Sequence, residues 1–279
     1  MPLSISTNIA SLSAQRSFLN SNAALETSYE RLASGKRINS SSDDAAGLAI
    51  AVDLSSRVSG TNQAIRNVND GISMVQIMDG AYDEVTSILQ RMRDMAVQAA
   101  NGSLSGTEKV YLETEYDKLI IAIGDALDQA NFASVDLTKP GSDGAGSSIS
   151  VTIQAGAGTG DTISVSLSTS TVSNVTGLGI NAIDYSSDAS AAIGLADAAL
   201  GHVATMRATL GAHQTQLEST VRNLANVAEN TAAATGRVMD TDYAAETANL
   251  TKAQILQQAA TSVLAQANAQ PQAVLALLQ

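Results

Sequence analysis

The sequence of 279 residues contains no cysteine and no tryptophan, only three prolines, and aromatic residues at 3%. Without cysteine the chain can form neither a disulfide framework nor a thiolate zinc site. The scarcity of aromatic side chains argues against the kind of ligand pocket that many enzymes of this size use. Because the prolines are Pro2, Pro140 and Pro271, the two long stretches between them lack the residue that most strongly breaks helices.

Basic residues are also scarce, since 15 Lys and Arg stand against 27 Asp and Glu, for a net charge of −12 at pH 7. We therefore expect no nucleic acid and no anionic membrane surface among the partners. No uninterrupted run of 18 or more apolar residues indicates a transmembrane helix. The first fifteen residues lack a basic segment followed by a continuous apolar stretch, so we expect no cleaved secretion signal.

Aliphatic residues, by contrast, are abundant and recur at alternating steps of three and four, which is typical of helices that pack along other helices. In the first of three such seams, Ile72, Val75 and Met78 follow one another at two steps of three, which predicts a local interruption of the heptad phase. The third seam alternates strictly over its whole length. The seams cover residues 65–96, 112–130 and 199–238.

Two local signals lie between these seams. Ser105 and Glu108 have the spacing of a capping box, which predicts a helix start there. Further on, Ser, Thr and Gly dominate residues 141–176, and apolar residues alternate with polar ones on both sides of the Gly-rich segment 155–160. This pattern predicts a β-hairpin at about 147–167.

The two ends of the chain are poor in charge. Arg16 is the first charged side chain and Lys252 the last, which leaves the final 27 residues (279 − 252 = 27) uncharged. Apolar residues in such segments have no charged neighbours to keep an exposed helix face soluble, and lone helices of this length are marginal in water. We expect the ends to be buried against each other or against other copies of the chain.

Motifs for catalysis or metal binding are missing. His202 and His213 would lie about 16 Å apart on a helix, too far to share a metal ion, and no HExxH, GxSxG or P-loop occurs. Gly156, Gly158 and Gly160 lack the last glycine of a dinucleotide-binding motif and fit a hairpin turn better. We expect no catalytic, metal-binding or cofactor-binding residue, no cofactor, and no enzymatic activity.

Long stretches near both ends resemble one family, the bacterial flagellins. The resemblance covers nearly all of residues 1–135 and 185–279. The stretches that carry it are RLASGKRINSSSDDAAGLAIA at 31–51, RNVNDGIS at 66–73, LQRMRDMAVQAAN at 89–101, and DTDYAAETANLTKAQILQQAATSVLAQANAQPQAVLALLQ at 240–279.

This resemblance implies a mainly α fold: a long antiparallel coiled-coil-like helical rod with paired terminal helices and the small β-hairpin. Residues 1–44 and 238–279 would form the inner domain, called D0 in flagellins, and residues 45–237 the rod domain D1. The short stretch between the helical parts leaves no room for the outer domains of larger flagellins. Serines and threonines in 141–176 fit O-glycosylation or a bare polar loop equally well.

The function that the resemblance implies is that of a structural subunit, which self-assembles into the flagellar filament for motility. The alternative is a hook–filament junction protein, which shares the helical ends but usually diverges from the long C-terminal stretch quoted above. An enzyme-bearing flagellin is disfavoured by the missing HExxH and the short central region. The terminal helices would pair and polymerise in the filament core through Ile5, Ile9, Leu12, Ile255, Leu256, Val263, Leu264, Val274, Leu277 and Leu278.

Location and partners follow from the same resemblance. The chain is expected outside the cell in the filament, exported through the flagellar type III apparatus without a cleaved signal. Its partners would be other copies, an export chaperone, the filament cap and hook-associated proteins, and a host Toll-like receptor. In flagellins that this receptor recognises, an arginine, a leucine and a glutamate form the contact centre. They correspond here to Arg91, Met95 and Glu115, with methionine replacing leucine at similar volume.

Overall fold

A computed structural model describes residues 8–133, 135–137, 148–168 and 189–276. The chain divides into two compact units: a terminal unit of Met1–Val58 with Asn230–Gln279, and a central unit of Ser59–Glu229. The described residues form helices α1 (Ile9–Ser34), α2 (Ala45–Ala99), α3 (Gly106–Asp128), α4 (Ala189–Met239) and α5 (Tyr243–Ala276), and strands β1 (Asn131–Phe132), β2 (Val135–Asp136), β3 (Ser148–Gln154) and β4 (Thr162–Ser168).

The central unit has one hydrophobic core, to which α2, α3, α4 and the hairpin all contribute. Arg207 of α4 pairs with Asp79 and Asp83 of α2, at 2.9 and 2.7 Å, and Arg93 of α2 pairs with Asp197 of α4 at 2.6 Å. The earlier residue on α4 thus meets the later residue on α2, so the two helices run antiparallel. These pairs are partly or fully exposed to solvent, where an ion pair contributes little stability, so the apolar seam holds the helices together.

The buried seam of α2 differs from its predicted course. Gly71 is buried where the seam was expected to pass through Ile72, which is only half-buried. With Gly71 in place, the steps alternate between three and four without interruption, so the predicted break in heptad phase is wrong. A glycine has no side chain to register in a hydrophobicity pattern, which is why its apolar neighbour was selected. The buried positions of this seam are Thr61, Ala64, Val68, Gly71, Val75, Met78, Tyr82, Val85, Leu89, Met92, Ala96 and Ala99, and Ile88 and Met95 are buried beside it.

The start of α3 is a capping box, as its sequence predicted. The Ser105 hydroxyl accepts the N–H of Glu108 at 3.4 Å, and the Glu108 carboxylate accepts the N–H of Ser105 at 2.8 Å. Two backbone donors at the helix start are thereby satisfied. After α3, the short strands β1 and β2 pair antiparallel; no sequence signal had predicted them.

The predicted hairpin is formed by β3 and β4, which pair antiparallel with Val151 opposite Val165 and Ile153 opposite Ile163. These four residues share one face of the hairpin because side chains alternate along a strand. Ile153 and Val165 are buried in the core of the central unit.

The hairpin lies against α2 where that helix has no side chains in the way. A Cβ atom on Gly71 would overlap the Cδ1 atom of Ile153, and one on Gly60 would lie 2.8 Å from the Cβ atom of Ala157. The side-chain amide of Asn67 donates to the carbonyl of Gln154 at 3.3 Å. Two glycines on α2 therefore create the space that the hairpin occupies.

Helix α4 is long and apolar enough to cross a membrane by length and composition alone, with an 18-residue window of mean hydropathy 1.2. A core helix of a soluble protein passes the same test, and α4 buries residues such as Val203, Leu210 and Leu217 in the central core. His213, expected to be a packed core histidine, is half-buried. The predicted mainly α fold with paired terminal helices and a small hairpin is confirmed.

Candidate assembly surface on the terminal helix pair

The terminal unit is built around α1 and α5, which pack side by side as an antiparallel pair. The buried and half-buried positions that face the partner helix recur at strictly alternating steps of three and four, the pattern of a two-helix coiled coil. We call these positions the inner seam. They are Ser11, Ala14, Phe18, Ser21, Leu25, Ser28 and Leu32 on α1, and Glu246, Leu250, Ala253, Gln257, Ala260, Leu264 and Ala267 on α5.

The inner seam is made mostly of small and polar side chains. Its fully buried members are serines, alanines and one glutamate, and Cα atoms of the two helices come within 8 Å of one another. Small residues allow this close approach, but each buries little apolar surface. At about 25 cal/mol per Å² of apolar area, such a seam stabilises an isolated pair only weakly.

Six large aliphatic side chains of the same two helices are exposed, whereas Phe18 and the leucines of the inner seam are half-buried. Ile9 is 71% exposed and Ile255 61% exposed, and four further large aliphatic residues of the pair are exposed as well. On α1 they lie roughly opposite the inner seam at 100° per residue. We call this set the outer apolar residues: Ile9, Leu12 and Leu19 on α1, and Ile255, Leu256 and Val263 on α5.

Five of the ten predicted polymerisation residues belong to this outer set. Leu264 instead occupies the inner seam, where it is half-buried. Ile5, Leu277 and Leu278 lie outside the described residues, as does the side chain of Val274. Leu19 was missed, although it stands seven residues after Leu12, at the heptad spacing that could have identified it.

The loops beside the pair tie the end of α1 to the start of α5. The N–H of Arg37 donates to the carbonyl of Met239 at 2.6 Å, and the N–H of Thr241 donates to the carbonyl of Gly35 at 3.0 Å. Gly35 caps α1 in the left-handed conformation, with φ of +71°, and its N–H donates to the carbonyl of Arg31. These bonds hold the end of α1 beside the start of α5.

A second candidate surface lies in the central unit, at the predicted receptor contact. Arg91 of α2 and Glu115 of α3 are both exposed, and their side chains form an ion pair at 2.5 Å. Met95 is only 6% exposed and belongs to the core. Arg91 and Glu115 thus lie together at the surface, whereas Met95, four residues after Arg91 on α2, is buried.

Within the described ranges, no group of three or more His, Asp or Glu side chains is placed to hold a metal ion. Shallow grooves along the terminal pair are lined by small residues such as Ala10 and Ser17 and by Leu256 and Val263. Helices packed along apolar seams, together with a terminal pair that exposes six large aliphatic side chains, indicate a structural protein.

Comparison with known proteins specifies which one. Residues 5–138 match the bacterial flagellin N-terminal helical region, and residues 193–278 match the bacterial flagellin C-terminal helical region. The chain belongs to the bacterial flagellin family. The resemblance found in the sequence is thereby confirmed.

Relatives match over the whole length. The flagellin of Halalkalibacterium halodurans is 40% identical over 276 residues, and the flagellar filament 33 kDa core protein of Treponema phagedenis is 35% identical over 284 residues; each comparison covers 99% of both chains. A crystal structure of Bacillus cereus flagellin is 29% identical, covers 61% of this chain and 94% of that chain, and has a TM-score of 0.49.

These matches decide between the functions that the sequence left open. The chain is a structural subunit of the flagellar filament, which lies outside the cell, and it is not an enzyme. The hook–filament junction alternative is less well supported, because the full-length relatives are flagellins and filament core proteins.

Proposed function

We propose that the α1–α5 pair is the polymerisation element of this subunit and that its outer apolar residues are buried between copies in the filament core. The observation that carries the proposal is the arrangement of the pair: the fully buried members of the inner seam are serines, alanines and one glutamate, while six large aliphatic side chains are exposed. Water-exposed apolar surface is costly, and contact with further copies removes that cost. In this proposal residues 1–44 and 238–279 form the inner layer, and residues 45–237 the surrounding layer.

The test is seeded polymerisation of the full chain, measured by sedimentation and electron microscopy. Leu12→Gln combined with Ile255→Gln replaces two outer apolar residues and leaves the inner seam intact, so we expect at least a tenfold loss of filament yield. Val227→Gln, the same kind of apolar-to-polar change at an exposed residue of the central unit, is the control. Wild-type yield from the double variant, or from a chain lacking 253–279, would overturn the proposal.

The same exposed residues are candidate binding sites for other proteins before and during assembly. A subunit that carries Ile255, Leu256 and Val263 at its surface needs them covered until it reaches the filament. We propose that an export chaperone covers α5, and that the filament cap and hook-associated proteins contact the terminal pair at the ends of the filament. Co-purification of chaperone with wild-type chain but not with the Ile255→Gln variant tests the first of these contacts.

We also propose that a host Toll-like receptor contacts Arg91 and Glu115 directly, with Met95 supporting them from the core. The two charged side chains are exposed and already adjacent, which supports a shared contact. A reporter-cell assay should show reduced activation by Arg91→Ala. Arg57→Ala is the control, since Arg57 is an equally exposed arginine of α2 that pairs with Asp53. Equal activation by both variants and the wild type would remove the assigned role.

A further inference from the structure

Polar side chains bond to one another across the inner seam of the terminal pair. The Ser11 hydroxyl donates to the Asn268 side-chain oxygen at 2.8 Å, and the Gln257 amide donates to the Asn22 side-chain oxygen at 2.5 Å. Ser11 to Asn22 is eleven residues forward, and Asn268 to Gln257 is eleven residues back. Both bonds therefore belong to one antiparallel register of the two helices.

A third polar contact anchors the other end of the pair. The Ser28 hydroxyl donates to the Glu246 carboxylate at 2.5 Å, and an Arg31 nitrogen lies 3.7 Å from the other carboxylate oxygen. Ser28 is 4% exposed and Glu246 7% exposed. A carboxylate buried to this extent is costly unless it keeps its hydrogen bonds and its cation, so the contact strongly favours the alignment that provides them.

The apolar members of the seam do not favour one alignment over its neighbours. Phe18, Leu25 and Leu32 recur every seven residues on α1, and Ala253, Ala260 and Ala267 recur every seven on α5. A slip of one heptad therefore sets the same kinds of apolar residue against each other. Two polar residues of α5 break this repetition: Gln257 stands between Leu250 and Leu264, and Glu246 stands seven residues before Ala253.

A slip of one heptad would therefore separate Glu246 from Ser28 and Arg31, and it would also be felt at the position of Gln257. Asn22 would then face Leu250 in one direction and Leu264 in the other. Asn22 and Gln257 are both half-buried, so each amide would lose its partner in a place where water compensates only in part. Polar residues at single seam positions are known to specify the register of coiled coils at some cost in stability.

We propose that the Asn22–Gln257 pair, supported by Ser28 and Glu246, determines the register of α1 against α5. The register in turn fixes the positions of the outer apolar residues of the two helices relative to one another in the same way on every copy. Only this second step rests on the proposed role in polymerisation. The register itself is a property of a single chain and can be measured within it.

The absence of native cysteine allows a direct test by intramolecular cross-linking of assembled full-length chains. Ser11→Cys with Asn268→Cys reports the observed register, and Ser11→Cys with Thr261→Cys reports a slip of one heptad. A short thiol-reactive cross-linker is applied, and cross-links within one chain are separated from those between chains by mass. The background variant is Asn22→Leu with Gln257→Leu, which replaces both polar partners and leaves neither amide unpaired. The control is Gln258→Leu, the same change at the exposed neighbouring position.

In the wild-type background and in Gln258→Leu we expect the observed-register cross-link to dominate. In the double-leucine background the ratio of slipped to observed cross-link should rise by about tenfold or more, while the helices remain folded by circular dichroism. An unchanged ratio in that background would overturn the proposal. Because the readout lies within one chain, a failure of the polymerisation proposal would appear separately, as filaments that form without the terminal pair.

Discussion

The hydroxyl oxygen of Tyr243 lies 2.8 Å from the point at which a Cβ atom on Gly35 would stand, and Gly35 has a φ of +71°. Gly35 ends α1 and Tyr243 begins α5, so this contact joins the two terminal helices at one end of their pair. Glycine is favoured there chiefly by the left-handed backbone, and a Cβ atom would also displace the tyrosine hydroxyl.

Gly35→Ala should therefore destabilise the terminal unit. The left-handed conformation alone costs about 1–2 kcal/mol for a residue with a Cβ atom, and the collision with Tyr243 adds to that cost. Faster hydrogen exchange of the α1 and α5 amides in filaments of the variant is the expected result. Exchange as slow as in the wild type would show that the loops can absorb the change.

Gly80→Ala is the matched control for that substitution. Gly80 lies in the interior of α2, and no heavy atom is within 4 Å of the position its Cβ would take. Alanine is favoured over glycine in a helix by about 0.5–1 kcal/mol. Thermal unfolding should therefore shift upward for Gly80→Ala, opposite in sign to Gly35→Ala.

Tyr82→Phe should leave the central unit equally stable or make it more stable. Tyr82 is 2% exposed, and its hydroxyl has no hydrogen-bond partner among the residues that the structure describes. Removing an unpaired buried hydroxyl while keeping the ring sacrifices no bond. Tyr82→Ala, which removes the ring, should instead cost about 3–5 kcal/mol. Chemical denaturation of both variants measures the difference, and a large loss in Tyr82→Phe would reveal a partner for the hydroxyl.

The same residue predicts how stability depends on alkaline pH. Burial raises the pKa of Tyr82 from its usual 10 to about 12 in the folded chain. The folded state therefore disfavours the ionised form, and this contribution to stability is fully present below pH 10 and is lost as the pH rises to about 12. Burial raises the pKa of Tyr116 to about 12 as well. Tyr82→Phe should weaken this alkaline dependence without abolishing it, as a series of urea unfolding curves between pH 9 and 12 would show.

Ser105→Ala should weaken the start of α3 by about 1 kcal/mol, since it removes the hydroxyl that accepts the N–H of Glu108 in the capping box. Hydrogen bonds from the N–H and then the hydroxyl of Ser105 lower the pKa of Glu108 below its usual value. The capping box therefore adds stability above the unfolded pKa of Glu108, and that stability is lost as the pH falls through the folded pKa. Ser103→Ala in the preceding loop is the control, and thermal unfolding at pH 7 and pH 3 is the measurement. Equal shifts for both variants would contradict a capping role.

Much of the central unit could be predicted from the sequence because its determinants are local and periodic. The capping box needs two residues three apart, and the seam of α4 needs large apolar residues at helical spacing. Gly71 was missed because a buried glycine leaves no mark on a hydrophobicity pattern. The inner seam of the terminal pair was missed for a similar reason, since serine and alanine are as common on the outside of helices as between them.

The candidate site shows a different limit. The sequence indicated that Ile9, Leu12 and Ile255 are assembly residues, but it could not say whether they face the partner helix or other copies. Leu264 and Val263 are both aliphatic, but only Leu264 continues the alternating steps of four and three from Ala260 to Ala267. Leu264 therefore faces the partner helix. The deciding information is the phase of the seam, which depends on small residues that carry little hydrophobic signal.

The two glycines of α2 that accommodate the hairpin give it two separate points of close contact with the helix. Gly60 and Gly71 are eleven residues apart, which is close to three helical turns. The gaps left by their missing side chains therefore lie on the same side of the helix, about 16 Å apart. A contact at one point leaves the direction of the hairpin along the helix undetermined, whereas contacts at two separate points determine it. Ile153 fills the gap at Gly71 and Ala157 fills the gap at Gly60, so both the position and the direction of the hairpin are fixed. Adding or removing one α2 residue between the two glycines would rotate one gap by about 100° and remove one of the contacts.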